Sequence, residues 1–294
     1  MRFLILTALG LALASCGDSS TEADGGTTFR FSAIPDEKPT EQRERFQPVA
    51  EYLEEQLGVP VEYVPVNKYS ASVQAFKNGD IHAAWFGGLS GVQARLAVEG
   101  SRAVAQGDAD PDYYSYFIAY EGSGLTASDA FPHEARGKRF TFGSEGSTSG
   151  RLMPEFFLRE AVDERPEDFF SAVGFSGNHP ATIAAVNSGA FDVGAVSYKV
   201  YDKAAEEEKA ATFVLWKTPV YPDYNFTIAG DLDATFGAGF SEALTEAWRG
   251  MPADLCQRSF SREAMIPAEN DDFSRIEETA ISLGLARPQA SGMR

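Results

Sequence analysis

Two segments in different halves of the chain share one pattern: a helix, a turn that contains Asn and Gly, and then an apolar strand. In the first half, residues 72–79 (SVQAFKNG) lead into residues 81–86, and in the second half, residues 182–189 (TIAAVNSG) lead into residues 191–196. Helices that alternate with buried strands are typical of α/β proteins. Because the unit occurs once in each half, the sequence predicts an α/β chain with two similar lobes.

The remaining pattern extends this α/β interpretation over most of the chain. Strands are predicted over residues 29–34, 61–66, 81–86, 138–142 and 191–196, and helices over residues 40–57, 69–77, 155–161 and 180–186. Pro154 precedes the third helix, so a kink or a late start is expected there. Ligands of open α/β sheets lie beyond the carboxyl ends of the strands. Two such lobes facing one another would form a cleft that closes by a hinge motion.

The N-terminus has the features of a secretory signal. A basic start is followed by the apolar residues 3–14, which are too few to span a bilayer as a helix. The Leu-Ala-Ser-Cys sequence at residues 13–16 resembles a bacterial lipobox, and that resemblance implies lipid on Cys16 and removal of a signal peptide, residues 1–15. The alternative is an ordinary signal peptide that a cysteine happens to follow. Residues 16–28 are rich in Gly, Ser, Thr and Asp and are predicted to form a flexible tether.

The charge balance excludes one class of partner. The chain carries 43 acidic and 25 basic residues, a net charge of −18, without the basic stripe that binding to nucleic acid requires. An anionic ligand would therefore be held by local donors, such as the backbone N–H groups at the start of a helix. Cys256 is the only cysteine besides Cys16, so lipidation of Cys16 would rule out an intrachain disulfide.

A loop of Gly, Ser and Thr leads from the strand at residues 138–142 into the next helix. Its last four residues, 147–150 (STSG), combine three hydroxyls with the first free N–H groups of the helix. Such groups can converge on one oxyanion and bind it without a formal charge. The alternative is an ordinary N-cap, in which Ser147 serves only the helix.

Enzymatic interpretations find little support in the sequence. The nucleophile elbow of a hydrolase has Ser at the centre of Gly-x-Ser-x-Gly, whereas Thr148 lies at the centre of GSTSG here. The sequence contains no P-loop with its Lys. The three histidines, His82, His133 and His179, lack the spacing of metal ligands. We therefore expect no enzymatic activity, no metal and no cofactor.

Five segments carry a resemblance to a known family, and they follow one another in the family's order over nearly the whole mature chain. They are IPDEKPTEQRERFQPVAEYLEEQLG, YSASVQAFKNGDIHAAWFGG, GSEGSTSGRLMP, SGNHPATIAAVNSGAFDVGAVS and PDYNFT. They resemble the periplasmic phosphonate/phosphite-type binding proteins of ABC transporters, and within that family the subgroup named for selenate binding.

The resemblance implies a two-lobed, Venus-flytrap fold with two hinge crossovers. Lobe I would comprise residues 29–116 and 222–294, and lobe II residues 117–221. The implied function is that of a monomeric, lipid-anchored periplasmic protein that captures a small tetrahedral oxyanion: selenate, selenite, phosphonate, phosphite or phosphate. It would deliver this ligand to an ABC permease and its ATPase complex, and it would touch the membrane through the lipid alone. The alternative is a ligand-sensing lobe for a membrane signalling partner, and a hydrolase is least expected.

The resemblance also implies a set of ligand contacts from both lobes. On this chain they fall on Ser147, Thr148, Ser149, Tyr69, Gly87, Gly88, His179 and Asp223. Simpler roles remain open: Tyr69 as a core aromatic, His179 as a surface or cap residue, and Asp223 as a turn residue. If Asp223 turns away from the cleft, Tyr224 or Asn225 is the expected contact instead, and selenate stays open as a ligand.

Two features bear on the identity of the ligand. In aminophosphonate binders of this family a carboxylate can hold the amine, but the comparable stretch here, residues 197–199 (SYK), lacks an acid. An ionised carboxylate only accepts hydrogen bonds, and so does selenate or sulfate. If Asp223 faces the cleft, we therefore expect an oxyanion that keeps a proton, such as selenite, phosphite or a phosphonate monoanion.

Overall fold

The chain folds into two β-sheets with helices packed against each. The computed structural model describes residues 27–38 and 41–287. The predicted signal peptide, Cys16 and most of the predicted tether lie outside the described residues. The first sheet contains, in spatial order, β11 (Met265–Pro267), β4 (Arg102–Gly107), β10 (Asn225–Ile228), β3 (Ala83–Phe86), β1 (Phe29–Ala33) and β2 (Val61–Tyr63). The second contains β7 (Ala172–Phe175), β6 (Arg139–Phe142), β8 (Val193–Ser197), β5 (Ser115–Tyr120) and β9 (Thr212–Lys217).

Helices from both ends of the chain cover the first sheet, and helices from the middle of the chain cover the second. Those of the first lobe are α1 (Gln42–Leu57), α2 (Tyr69–Asn78), α3 (Gly88–Ala97), α9 (Leu232–Phe236), α10 (Phe240–Arg249), α11 (Ala253–Phe260) and α12 (Ser274–Ser282). Those of the second lobe are α4 (Met153–Val162), α5 (Pro166–Phe169), α6 (His179–Asn187), α7 (Tyr198–Lys203) and α8 (Glu206–Lys209). Within residues 27–38 and 41–287, no helix combines the length and apolar character that a bilayer span needs.

The repeated unit seen in the sequence is α2 followed by β3 in one lobe and α6 followed by β8 in the other. Gly79 and Gly189, in the two turns, have φ angles of 75° and 72°. These are left-handed conformations that glycine adopts without a steric penalty. Both following strands are buried along their whole length. The predicted α/β class with one such unit in each lobe is confirmed.

Aromatic residues build a core against each sheet. In the first lobe, Phe226 of β10 stacks on Trp248 of α10 with ring centroids 3.7 Å apart, and Trp85 of β3 lies 4.7 Å from Phe226. In the second, Phe140 of β6 stacks on Phe170 at 4.4 Å. Large buried rings of this kind dominate the apolar area that a core removes from water.

Two extended segments, residues 108–114 and 218–224, connect the lobes and run side by side. Tyr113 and Tyr221 exchange backbone hydrogen bonds of 3.0 and 2.9 Å, and the Asp223 N–H donates to the Asp110 carbonyl at 3.1 Å. β5 extends across the expected boundary after residue 116. We therefore propose these two segments as the hinge crossovers, with all of β5 in the second lobe.

Candidate functional site

The Ser-Thr-Ser-Gly segment lies at the carboxyl end of β6, as its position in the sequence predicted. Ser147 is the N-cap of a π-helical turn, Thr148–Leu152, and its Oγ accepts the Gly150 N–H at 2.9 Å. Ser147, Thr148 and Ser149 are almost fully buried. The cap interaction uses a lone pair of Ser147 and leaves its hydroxyl proton free to donate. The cap role and the role as an oxyanion cradle are therefore compatible.

Thr148 makes a direct contact between the two lobes. Its Oγ1 accepts the N–H of Leu89, in the first turn of α3, at 3.0 Å. The hydroxyl proton can then be donated to the Asp223 carboxylate, which lies within hydrogen-bonding reach. A β-carbon added to Gly87 would lie 3.1 Å from both Thr148 Oγ1 and Asp223 Oδ1. The absence of a side chain at Gly87 therefore allows the lobes to meet closely.

Asp223 reaches this place because of strand direction. β10 runs antiparallel to β3, with Asn225 opposite Phe86, so the start of β10 lies where β3 ends. There Asp223 Oδ1 accepts the Gly88 N–H at 2.9 Å, and the residue is 1% exposed. The structure thus brings Asp223, Gly87, Gly88 and Thr148 together at the meeting edge of the two lobes.

Burial controls the protonation of Asp223. It raises the pKa of the carboxyl to about 7, while the hydrogen bonds from the Gly88 N–H and the Thr148 hydroxyl oppose the rise. Near neutral pH the carboxyl therefore exchanges between a charged acceptor and a neutral donor. A group in this state can share one proton with an anionic ligand.

His179, the first residue of α6, is a buried neutral donor. Its Nδ1 accepts the Ser197 N–H at 3.2 Å, which places the ring proton on Nε2, 3.4 Å from Ser149 Oγ. Burial lowers the pKa of the imidazole to about 4, so it is uncharged at neutral pH. The helix cap is Asn178, whose side chain accepts the Ala181 N–H at 2.9 Å. The structure therefore gives His179 neither a surface position nor the cap role.

Tyr69 extends from the first lobe to the loop of the second. It is the first residue of α2 and is 3% exposed. A β-carbon on Gly146 would lie 2.9 Å from Tyr69 Cβ, and the Tyr69 hydroxyl lies close enough to Ser147 for that side chain to influence its pKa. Burial raises the pKa of this phenol well above its usual value, so the hydroxyl keeps its proton.

The Asn225 side chain bonds to α3 and to its own strand rather than to the cradle. Its Oδ1 accepts from Arg95 Nη1 at 3.1 Å and from Thr227 Oγ1 at 2.8 Å, and its Nδ2 donates to the Asp223 carbonyl at 3.3 Å. The alternation of side chains along β10 puts Asn225 and Thr227 on the face toward α3. The amide therefore joins β10 to that helix.

The sequence interpretation missed several buried polar residues beside the site. Asp36 follows β1 and accepts from Tyr224 Oη at 3.0 Å and from Arg45 Nη1 at 3.3 Å. Its place at the carboxyl end of a strand is a signal that could have identified it. Tyr113 hydrogen-bonds through its hydroxyl to the Ser197 hydroxyl. That pair joins residues 84 positions apart, and local sequence carries no signal for it.

Two ion pairs connect the lobes at the mouth of the cleft. Lys203 Nζ of α7 lies 3.3 Å from Glu37 Oε2, and Lys38 Nζ lies 3.0 Å from Glu208 Oε1 of α8. Lys203, Lys38 and Glu208 are about half exposed, whereas Glu37 is 15% exposed. With at least one solvated partner in each, the two pairs contribute only about 0–1 kcal/mol apiece. Because each pair joins one lobe to the other, it stabilises the arrangement in which the two lobes are close together.

Comparison with known proteins adds a family match over most of the chain. Residues 31–273 match the profile of a family described as "ABC transporter, phosphonate, periplasmic substrate-binding protein". A relative from Prochlorococcus marinus, named "Probable ABC transporter phosphite binding protein PhnD1", is 39% identical over 271 residues, which cover 88% of this chain and 91% of the relative. The phosphate-import protein PhnD of Mycolicibacterium smegmatis is 27% identical, over 92% of this chain and 87% of its own.

A solved structure agrees with the fold described above. PhnD1 of Prochlorococcus marinus, in complex with methylphosphonate, superposes with a TM-score of 0.83 at 38% identity. The match covers 88% of this chain and 98% of that one. The two-lobed arrangement is therefore shared with a protein that has been observed with a small phosphonate.

Proposed function

Because the chain belongs to the family of periplasmic substrate-binding proteins of phosphonate ABC transporters, we propose that it captures a small oxyanion that keeps a proton near neutral pH. Phosphite and methylphosphonate are the first candidates. Family membership confirms the resemblance drawn from the sequence, the periplasmic location and the expectation of a binding protein rather than an enzyme. The narrower assignment to selenate remains a prediction.

The observation that carries this proposal is the burial of Asp223 among uncharged donors. The hydroxyls of Tyr69 and Ser147 and the Nε2–H of His179 can each donate one hydrogen bond without bringing a charge, while the single Thr148 hydroxyl proton goes either to the ligand or to Asp223. A buried anion requires such donors to replace its hydration. Asp223 adds an acceptor beside them, in contact with the Gly88 N–H and the Thr148 hydroxyl.

A carboxylate in this position favours a ligand that shares a proton. Two like charges in a dry cleft repel strongly unless a proton lies between them. With a pKa of about 7, Asp223 can supply that proton or accept it from a P–OH group. Selenate and sulfate carry no proton at neutral pH, so they bind only to the protonated form of Asp223.

The polar groups of Ser197, where the stretch comparable to the amine-binding position begins, already have hydrogen-bond partners within the protein. The N–H of Ser197 is used by His179, and its hydroxyl is used by Tyr113. The nearby Asp36 carboxylate accepts from Arg45 and Tyr224. These contacts support a ligand without an amine, such as the phosphite and methylphosphonate associated with the relatives.

The proposal extends to delivery. The ligand would be passed to an ABC permease with its ATPase, and the protein would act as a monomer held at the membrane by lipid on Cys16. The predicted tether, residues 16–28, would keep the lobes free to reach the permease.

The test is a binding screen on the purified protein without its lipid. Phosphite, methylphosphonate, phosphate, selenite, selenate and sulfate are each added, and the melting temperature and the binding heat are measured. A ligand present at 100 times its Kd should stabilise the native state by about 2.7 kcal/mol. When all ligands are added at the same concentration, phosphite and methylphosphonate should give the largest increases in melting temperature. A double variant, Ser147→Ala with Thr148→Ala, serves as the control with a damaged cradle. A panel in which selenate binds best at pH 8, or in which no oxyanion binds, contradicts the proposal.

A further inference from the structure

One carbonyl oxygen in the cradle cannot be served by its own helix. In the π-helical turn, the Leu152 N–H donates to the Ser147 carbonyl at 3.0 Å, and the Met153 N–H donates to the Thr148 carbonyl. The next position in this pattern is residue 154, which is a proline and has no N–H. The Ser149 carbonyl, in an almost fully buried residue, therefore needs a donor from elsewhere.

That donor is the hydroxyl of Ser115, the first residue of β5. Ser115 Oγ donates to the Ser149 carbonyl at 2.7 Å and lies 2.5 Å from Tyr221 Oη. A serine hydroxyl has one proton, and here the carbonyl takes it. The Tyr221 hydroxyl must consequently donate to Ser115 Oγ. The chain of protons is directional, from Tyr221 through Ser115 to the Ser149 carbonyl.

This chain fixes the orientation of one peptide group in the cradle. The Ser149 carbonyl and the Gly150 N–H belong to the same planar unit. Ser115 holds the carbonyl side at 2.7 Å, and Ser147 Oγ holds the N–H side at 2.9 Å. Rotation of this peptide would move the Ser147 hydroxyl together with the Ser149 side chain.

The same chain begins in the hinge. Tyr221 lies in the second crossover and pairs with Tyr113 of the first through two backbone hydrogen bonds. The Ser115 backbone is also held by the second crossover, because its N–H donates to Thr218 Oγ1 at 3.0 Å. The two crossovers are thus joined to the cradle through a path of three hydrogen-bonding groups.

From these contacts we propose that Ser115 and Tyr221 are positioning residues for oxyanion binding, which hold the cradle peptide in its binding orientation and connect it to the hinge. They act through the Ser149–Gly150 peptide and do not need to touch the ligand. This inference rests on the proposed oxyanion site.

The test compares Ser115→Ala, Tyr221→Phe and the double variant with two matched controls. Tyr52→Phe removes a tyrosine hydroxyl that donates to the Ala247 carbonyl at 2.9 Å, and Ser259→Ala removes a serine hydroxyl that donates to the Arg45 carbonyl at 2.9 Å. Both controls lie in the first lobe, away from the cradle. For each variant the melting temperature without ligand, and the Kd and dissociation rate for phosphite and methylphosphonate well below that temperature, are measured.

We expect Ser115→Ala to raise the Kd by about three- to tenfold, as for loss of one hydrogen bond. Tyr221→Phe should have a smaller effect, because Ser115 still donates to the carbonyl. The double variant should bind no more weakly than Ser115→Ala alone, since removal of Ser115 already disconnects Tyr221. Ser115→Thr, which keeps the hydroxyl, should recover part of the affinity.

A purely structural role predicts a different pattern. Ser115→Ala and Tyr221→Phe would then lower the melting temperature as the controls do, with the Kd unchanged, and the inference would be wrong while the oxyanion site stood. If the wild-type protein binds neither phosphite nor methylphosphonate, the proposed function fails, and the inference fails with it.

Discussion

Replacing Asp223 with Asn should remove the pH dependence of selenate binding. In the wild-type protein, selenate can bind only when Asp223 is protonated, because both groups would otherwise be acceptors in a buried site. In the variant, Oδ1 of the amide can keep the hydrogen bond from the Gly88 N–H, while the NH₂ group provides a permanent donor. The two carboxamide atoms thus reproduce the protonated carboxyl at every pH.

The size of the effect follows from the pKa of about 7. Above that pH, the protonated fraction of Asp223 falls tenfold for each further pH unit. The wild-type affinity for selenate should therefore be about tenfold weaker at pH 8 than on its plateau below pH 7, a loss of about 1.4 kcal/mol. Selenite still keeps a proton at pH 8, so it should bind the wild type better than selenate, and the gap should narrow in Asp223→Asn.

The stability of the unliganded protein gives a second readout. Between its ordinary pKa of 3.8 and the folded value of about 7, the folded protein holds a proton on Asp223 that the unfolded chain has released. Stability should therefore fall as pH rises through this window and level off above about pH 7. The full loss amounts to roughly 4 kcal/mol. Asp223→Asn should lack this contribution.

The assay is isothermal titration of selenate and selenite into both proteins from pH 6 to pH 9, with the melting temperature measured in the same buffers. Ser259→Ala, whose hydroxyl lies in the first lobe, controls for a general effect of substitution. A wild-type protein that binds selenate equally well at pH 6 and pH 9 would refute the reasoning. So would an unchanged pH slope in Asp223→Asn.

Three further outcomes are expected. Ser147→Ala combined with Thr148→Ala should weaken oxyanion binding by two or more decades, at about 1.5–3 kcal/mol for each hydrogen bond to a charged group, while the melting temperature changes much less. Calorimetry measures the Kd, and a double variant that binds normally would show that the segment is only a helix cap. Cys16→Ala should release the protein from membranes or leave its signal uncleaved, so unchanged fractionation with normal processing would contradict the lipid anchor. Lys203→Glu, which sets two negative charges against one another across the cleft at Glu37, should speed ligand release about two- to fivefold at low salt, and stopped-flow traces that match the wild type would show that the ion pair contributes nothing to closure.

The repeated helix–turn–strand unit was predictable because its signal is local. The predicted helix at residues 69–77 is α2, and the predicted helix at 180–186 is α6, each within two residues at its ends. The strand predicted over residues 61–66 was too long, since the sheet keeps only Val61–Tyr63. Apolar character marks burial there and does not show where pairing in the sheet ends.

The candidate site was predictable where its residues follow strands. The cradle after β6 and the glycines after β3 lie at the carboxyl ends of strands, the place where α/β sheets bind ligands. The contribution of Asp223 depends on the antiparallel insertion of β10 beside β3, a pairing between positions about 140 residues apart. The contact between Ser115 and Tyr221 likewise joins residues 106 positions apart. Neither pairing leaves a periodic signal in the sequence.

The order of strands in the first sheet has a consequence for how the exported chain acquires its fold. β10 occupies a central place between β3 and β4, yet it is made more than a hundred residues after them. The second sheet uses one continuous stretch, from Ser115 to Lys217, and can complete its pairing as soon as that stretch is available. Because the chain is synthesised from its N-terminus, we expect lobe II to mature first. Until β10 is available, β3 and β4 of lobe I would each have an unpaired edge, which chaperones of the envelope could protect.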